Sequence, residues 1–154
     1  MYRHQRLITS GKSFLLATLL FGMLAPKMAY ASESADSRSA IWLSDGQRSA
    51  ILAEMRQFLT ASQTILQAAL AEDMAEVEQS ARAVGLQQAR GVPAELRAKL
   101  PEGFVKLGPQ VHIGFEEIAD EAVTMGDSQV ILQRLAEVQK LCIQCHAVYR
   151  LERE

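Results

Sequence analysis

The chain has few of the residues that interrupt helices. Its 154 residues include only nine glycines and four prolines, whereas alanine, leucine, glutamine and glutamate are abundant. No stretch alternates apolar and polar residues as a half-buried strand does, and no tandem repeat is present. Because the abundant residues have high helix propensity, the composition predicts an all-α fold. The length suits one domain.

The chain also lacks an apolar run long enough to cross a bilayer comfortably. The N-terminal run extends from Ser13 to Ala25, whereas a spanning helix needs about 20 apolar residues. Basic residues precede this run, and Ala29-Tyr30-Ala31 supplies the small residues expected before a cleavage site. Residues 1–31 are therefore interpreted as a signal peptide for export to the periplasm, with an uncleaved N-terminal anchor as the alternative. Residues 32–43 are expected to form a flexible segment.

Basic charge is in short supply. The chain has 16 Lys and Arg against 18 Asp and Glu. Cleavage of the signal peptide would remove four basic residues, Arg3, Arg6, Lys12 and Lys27, and no acidic residue. The mature chain is then distinctly acidic, which argues against nucleic acid as a partner. An acidic surface suits a basic patch on a redox partner protein. No stable membrane span is expected after cleavage.

A long first helix is predicted to begin near Ser44, which fits a capping box with Gln47. It continues to about Glu72. Its apolar face is predicted from spacings of three and four residues, and comprises Leu52, Met55, Leu59, Ser62, Leu66 and Ala69, widened by Ile51, Phe58 and Ile65.

Three further helices are predicted from cap signals and breakers. Their bounds are Asp73 to about Gly91 for the second, Pro109 to Gly126 for the third and Asp127 onward for the fourth, with one short helix, Ala94 to Leu100, in a crossover. Four amphipathic helices joined by two short turns and one longer crossover indicate an antiparallel four-helix bundle over residues 44–154.

Cysteine occurs only twice, in the run Cys142-Ile143-Gln144-Cys145-His146. C-x-x-C-H is the attachment motif of c-type haem. The two thiols add across the two porphyrin vinyl groups, so they must lie about one helical turn apart. The following histidine then reaches the iron through an imidazole nitrogen. The motif therefore predicts one covalently attached haem c, bound by Cys142 and Cys145, with His146 as the proximal ligand.

Three other readings of the cysteine pair remain open. A redox dithiol of the thioredoxin type occurs in a βαβ context, whereas this region is predicted to be helical. A structural zinc site needs four ligands, and Cys142, Cys145 and His146 supply only three. A disulfide is the remaining alternative, because exported proteins meet an oxidising compartment.

The run from Cys142 to Arg150, with an aromatic residue at Tyr149 followed by a basic one, resembles the C-x-x-C-H-x-x-aromatic-basic run of class II c-type cytochromes, the cytochrome c′ family. The resemblance implies a four-helix bundle with the haem near the end of the last helix. It also implies that Tyr149 packs against the porphyrin and that an arginine of the first helix, here Arg48, pairs with a haem propionate.

The same resemblance implies that the sixth coordination site of the iron faces the first helix. Methionine there, here Met55, gives a six-coordinate haem suited to electron transfer. An apolar residue, here Leu52, leaves a five-coordinate iron that binds small gases such as nitric oxide and carbon monoxide. His112 is a further candidate for the sixth ligand.

These residues lead to one functional hypothesis and two alternatives. The first is a periplasmic one-electron carrier that is not an enzyme and that exchanges electrons with redox partner proteins. The second is a five-coordinate haem protein that binds small gases. The third is a haem-free helical interaction module with a C-x-x-C disulfide. The resemblance also implies that the first two helices can mediate a homodimer.

Overall fold

The computed structural model describes residues 36–89 and 92–154. The predicted signal peptide, residues 1–31, lies outside them. Within the described ranges the chain is mostly helical with one small two-stranded sheet, which confirms the all-α prediction at that level. In chain order, the elements are β1 (Ser39–Leu43), α1 (Asp45–Leu70), α2 (Met74–Arg82), α3 (Leu86–Ala89), α4 (Ala94–Lys99), α5 (Glu102–Thr124), α6 (Ser128–Val148) and β2 (Tyr149–Arg153).

The predicted helix caps are present. The Gln47 amide donates to Ser44 Oγ at 3.4 Å, and the Ser44 amide donates to Gln47 Oε1 at 3.1 Å, which completes the capping box of α1. The Glu76 amide donates to Asp73 Oδ1 at 3.1 Å. Asp127 accepts from two amides at the start of α6. Such caps satisfy amide groups that have no partner within the helix.

The middle of the chain differs from the prediction. The second helix ends at Arg82 rather than near Gly91, and a turn separates it from the four-residue α3. The third helix begins at Glu102 after Pro101, so Pro109 lies inside α5 rather than at its start. Pro109 has no amide hydrogen to donate one turn back, but its ring is on the exposed side of the helix, where water can replace that bond.

Four helices enclose the main core. α1 packs on α2, α2 on α5, α5 on α6, and α6 on α1, the last contact being the least extensive of the four. The centre of this core is fully buried and consists of Ile65, Val77, Ala81, Phe115, Ile118, Ala119 and Ile131.

The buried face of α1 is rotated relative to the predicted one. Ile51, Phe58 and Ile65 are buried, whereas Leu59 is 72% exposed and Leu66 is also exposed. Two neighbouring rows of α1 carry apolar residues at a spacing of seven, so the spacing alone does not choose between them. Packing against the other helices of the main core buries the row that contains Phe58, whose ring contacts His112 and Phe115 of α5.

The two-stranded sheet was not predicted. β1 pairs in parallel with β2 from Ser39↔Tyr149 to Leu43↔Arg153, so residues 39–43 are an ordered strand rather than part of a flexible segment. Ile41 and Leu43 point into a second core together with Ile51 and Leu96. Because β1 leads into α1 and β2 follows α6, this pairing holds the start of α1 next to the end of α6.

Among the residues that the structure describes, no helix combines the length and the apolar character that a membrane span requires.

Candidate functional site

A cavity of about 260 Å³ lies where the start of α1 meets the end of α6 and the start of β2. Five of the six predicted site residues line it, namely Arg48, Met55, Cys145, His146 and Tyr149. The remaining lining residues are Arg38, Ile51, Leu52, Phe104, Arg150 and Leu151. The structure thus brings together side chains from both ends of the described chain.

The last turns of α6 carry the two cysteines and the histidine. Cys142 and Cys145 are both free thiols and both half-buried, one turn apart on the same helix. Burial raises the pKa of each thiol, which favours the protonated form. His146 follows Cys145 directly and is exposed. α6 ends at Val148, so Tyr149 belongs to β2 and not to the fourth helix as predicted.

The first helix contributes the opposite wall. Arg48, Leu52 and Met55 follow one another at spacings of four and three on α1 and all line the cavity. Both Leu52 and Met55 are half-buried, and Met55 packs against both cores. Leu52 and Met55, the two candidates for the distal position, therefore face the same space.

Arg48 has a buried polar atom without a partner. Its Nε is buried and donates no hydrogen bond to any of the described residues. A buried guanidinium donor costs free energy unless an acceptor meets it. Since none of the described residues lining this cavity is acidic, Arg48 is suited to a carboxylate or phosphate that enters from outside the chain.

Tyr149 is held against α5. Its ring meets that of Phe104 edge-on, with the centroids 5.9 Å apart. Its hydroxyl lies so close to Gly103 that a Cβ at that position would overlap it. Both contacts orient the tyrosine along the cavity wall, and both depend on residues of the first turn of α5.

Sequence reasoning missed Arg38 at this site and did not predict the contacts of Arg150. The Arg150 guanidinium donates to the main-chain oxygens of Asp36 and Arg38, each at 2.7 Å, and pairs with Glu152 at 2.9 Å. Arg38 pairs with Asp36 at 2.6 Å and also donates to the His146 carbonyl at 3.3 Å. The hydrogen bonds from Arg38 hold the pKa of the Asp36 carboxyl well below its usual range.

No local pattern could have identified Arg38. It reaches the site only because β1 pairs with β2, which joins segments from the two ends of the described chain. Arg150 was recognised as part of a motif, but its binding to the main chain of residues 36–38 also follows from that pairing.

His112, the other candidate ligand, lies elsewhere. It is 5% exposed, and its Nδ1 is 2.8 Å from the Val84 carbonyl oxygen. Its Nε2 faces Glu54 Oε1 at 3.6 Å. Both His112 and Glu54 line a separate cavity of about 150 Å³, so the structure does not bring His112 together with His146.

Within the described ranges, no three His, Cys, Asp or Glu side chains lie close enough together to hold a metal ion by themselves. Comparisons of this chain with protein-family models, with curated proteins and with solved structures found no match.

Proposed function

We propose that the protein is a periplasmic c-type haem protein that carries single electrons. The observation that carries this proposal is the shared cavity in which Cys145 and His146 of α6 meet Arg48 and Met55 of α1. On an isolated helix, the C-x-x-C-H motif would be evidence from the sequence only. Here Cys145 and His146 of the motif line one cavity with the proposed sixth ligand and with an arginine whose Nε has no hydrogen-bond partner among the described residues.

The donor set suits haem better than a bare metal ion. Porphyrin nitrogens fill the equatorial plane of iron, so the protein needs to add only one or two axial ligands. His146 is the proposed proximal ligand, Met55 the proposed distal ligand, and Cys142 and Cys145 the proposed thioether links. Haem supplies the change between ferrous and ferric iron that a one-electron carrier requires.

Arg48, whose Nε has no hydrogen-bond partner among the described residues, suits a haem propionate, because guanidinium binds a carboxylate through two parallel hydrogen bonds. The cavity is smaller than the ~300–1,000 Å³ typical of small-molecule sites. We therefore expect the haem to be only partly enclosed, with an edge at the protein surface near the exposed side chains of Ile143 and Val148. An exposed edge suits electron exchange with a partner protein.

We further propose that α1, α2, α5 and α6 form the antiparallel four-helix bundle of class II c-type cytochromes, with α3 and α4 in the crossover. The order of the helix contacts and the position of the motif at the end of α6 support this assignment. The parallel β1–β2 pair would be an addition to that bundle.

Gas binding is a second candidate function, and one observation favours it. Leu52 lines the cavity together with Met55. If Leu52 rather than Met55 faces the iron, no side chain ligates the distal position, and nitric oxide or carbon monoxide can bind there.

The first test is for covalent haem. The protein, produced in a host that attaches c-type haem, should retain a haem stain after denaturing electrophoresis. Its intact mass should equal a chain beginning at Ser32 plus one haem. The double variant Cys142→Ser/Cys145→Ser should lose the stain. A wild-type mass without porphyrin would refute the proposal and favour the haem-free interaction module.

The second test separates the two haem functions. The reduced protein should show a low-spin spectrum that carbon monoxide does not change. Met55→Ala should become high-spin and bind carbon monoxide, whereas the matched variant Leu52→Ala should stay low-spin. Immediate carbon monoxide binding by the wild type, unaffected by Met55→Ala, would instead establish the gas-binding function.

A further inference from the structure

The cavity of about 150 Å³ beside His112 has no role in the proposed haem site. Ile51 and Phe104 line both this cavity and the cavity of about 260 Å³ at the end of α6, and they separate the two. Leu96, Leu100 and Val105 complete most of its apolar wall, His112 and Glu54 provide its polar end, and Arg97 also lines it. Sites for small molecules typically have this composition, with a few convergent polar groups in an apolar pocket.

The two polar groups at this end of the cavity lie too far apart for a direct hydrogen bond. Because the Val84 oxygen can only accept, the Nδ1 of a neutral His112 must donate to it. Nε2 then carries a lone pair, and it faces the acceptor oxygen Glu54 Oε1 at 3.6 Å. That distance exceeds a direct hydrogen bond, so neither group satisfies the other in this geometry, and a hydroxyl that reaches either of them can donate to it.

The surrounding residues hold this pair in place. The Phe58 ring meets the His112 ring edge-on at 5.1 Å and stacks on Phe115 at 5.6 Å. Phe115 is fully buried. The imidazole is thus fixed by a hydrogen bond on one side and by aromatic packing on another, and a fixed acceptor loses little entropy on binding a ligand.

We propose that this cavity binds a small hydroxylated aromatic molecule of the phenol class. The ring would lie among Leu96, Leu100 and Phe104, and the hydroxyl would donate to His112 Nε2 or Glu54 Oε1. Apolar cavities of about this volume bind benzene in other proteins, so the space suits a single ring. The hydroxyl gives phenol a hydrogen bond at the polar end that an unsubstituted ring cannot make. This inference does not depend on the haem.

The test is a titration of the purified protein with phenol, followed by methyl NMR signals of Leu96, Leu100 and Val105. We expect saturable shifts confined to this cavity. Toluene, which has the same ring without the donor, should bind about threefold to tenfold more weakly, as expected for the loss of one net hydrogen bond. The haem spectrum should not change, because phenol does not reach the iron.

Gly108 offers a variant at the wall of this cavity. It lines the cavity, and a Cβ at this position would meet no atom within 4 Å. Gly108→Leu adds a side chain at this wall without a clash at Cβ and should weaken phenol binding. Gly46→Leu is the matched control, since Gly46 is likewise in open space on α1 but does not line this cavity. It should bind phenol as the wild type does.

Glu54→Gln tests the polar end without changing its size. The glutamine amide can donate to His112 Nε2 itself, so phenol should lose its advantage over toluene. The proposal is overturned if phenol gives no saturable shifts, if Gly108→Leu binds it as tightly as Gly46→Leu does, or if phenol and toluene bind the wild type equally.

Discussion

Ser39 and Tyr149 are paired at the first register position of the parallel β1–β2 sheet. Tyr149 directly follows α6, and the strand that begins at Ser39 leads into α1. This pairing therefore places the C-x-x-C-H motif of α6 opposite Arg48 and Met55 of α1. The site depends on a contact between segments far apart in the chain.

The first prediction concerns that sheet. Leu43 is fully buried in the small core between β1, α1 and α4, so Leu43→Ala should lower the free energy of unfolding by about 2–5 kcal/mol. Trp42→Ala, at a neighbouring residue that is 57% exposed, should cost about 0.5 kcal/mol or less. Urea unfolding measures both. Equal losses would show that β1 does not anchor this end of the molecule.

The second prediction concerns Arg48. If its guanidinium pairs with a haem propionate, its positive charge stabilises the ferrous form, which carries one negative charge more than the ferric form. Arg48→Gln should therefore lower the reduction potential by on the order of tens of millivolts. Arg56→Gln, an exposed residue outside the cavity, should leave the potential nearly unchanged. A potentiometric titration of each variant measures this, and equal shifts would contradict the pairing.

The third prediction concerns the contact between α5 and α6. A Cβ at Gly114 would lie 2.5 Å from Val138 Cγ2, and Val138 is buried. Gly114→Ala should thus destabilise the protein by about 1–3 kcal/mol through overpacking, despite the better helix propensity of alanine. Gly46→Ala meets nothing within 4 Å and should be neutral or stabilising by up to about 1 kcal/mol. Thermal unfolding should show a lower midpoint for Gly114→Ala and an unchanged or higher midpoint for Gly46→Ala; stabilisation by both variants would exclude a tight helix contact.

The fourth prediction concerns Arg82, which joins α2 to α5. Its guanidinium pairs with Glu78 at 2.9 Å, Glu116 at 2.6 Å and Asp120 at 2.9 Å, and hydrogen bonds to these carboxylates raise its pKa. Arg82→Met should cost about 1 kcal/mol in dilute buffer because a network is lost rather than one exposed pair.

The control for Arg82 is Lys140→Met, which removes a single exposed pair with Glu137 and should cost less than about 0.5 kcal/mol. High salt should reduce the cost of Arg82→Met, since it screens exposed charges. Chemical unfolding at low and high salt measures this. A cost that does not depend on salt would mean that the Arg82 stem acts through packing alone.

Local chemistry was sufficient to predict several features. The caps at Ser44, Asp73 and Asp127 follow from side chains that bond to amides a few residues away. Helix α4 was predicted to within one residue, Ala94–Leu100 against Ala94–Lys99. Pro109 misled the prediction because Pro101 already opens the helix, and an exposed proline is tolerated farther along it.

The sequence by itself determined the mostly helical fold, the three helix caps and the residues of the C-x-x-C-H motif, because each depends on neighbours in the chain. Only the tertiary structure decided which face of α1 is buried, that β1 and β2 pair, and that Arg38 and Arg48 stand with Met55, Cys145 and His146 around one cavity. These features depend on contacts between segments far apart in the chain, and no local propensity specifies such contacts. The sequence predicted the chemistry of His146, and the fold decided which residues face it.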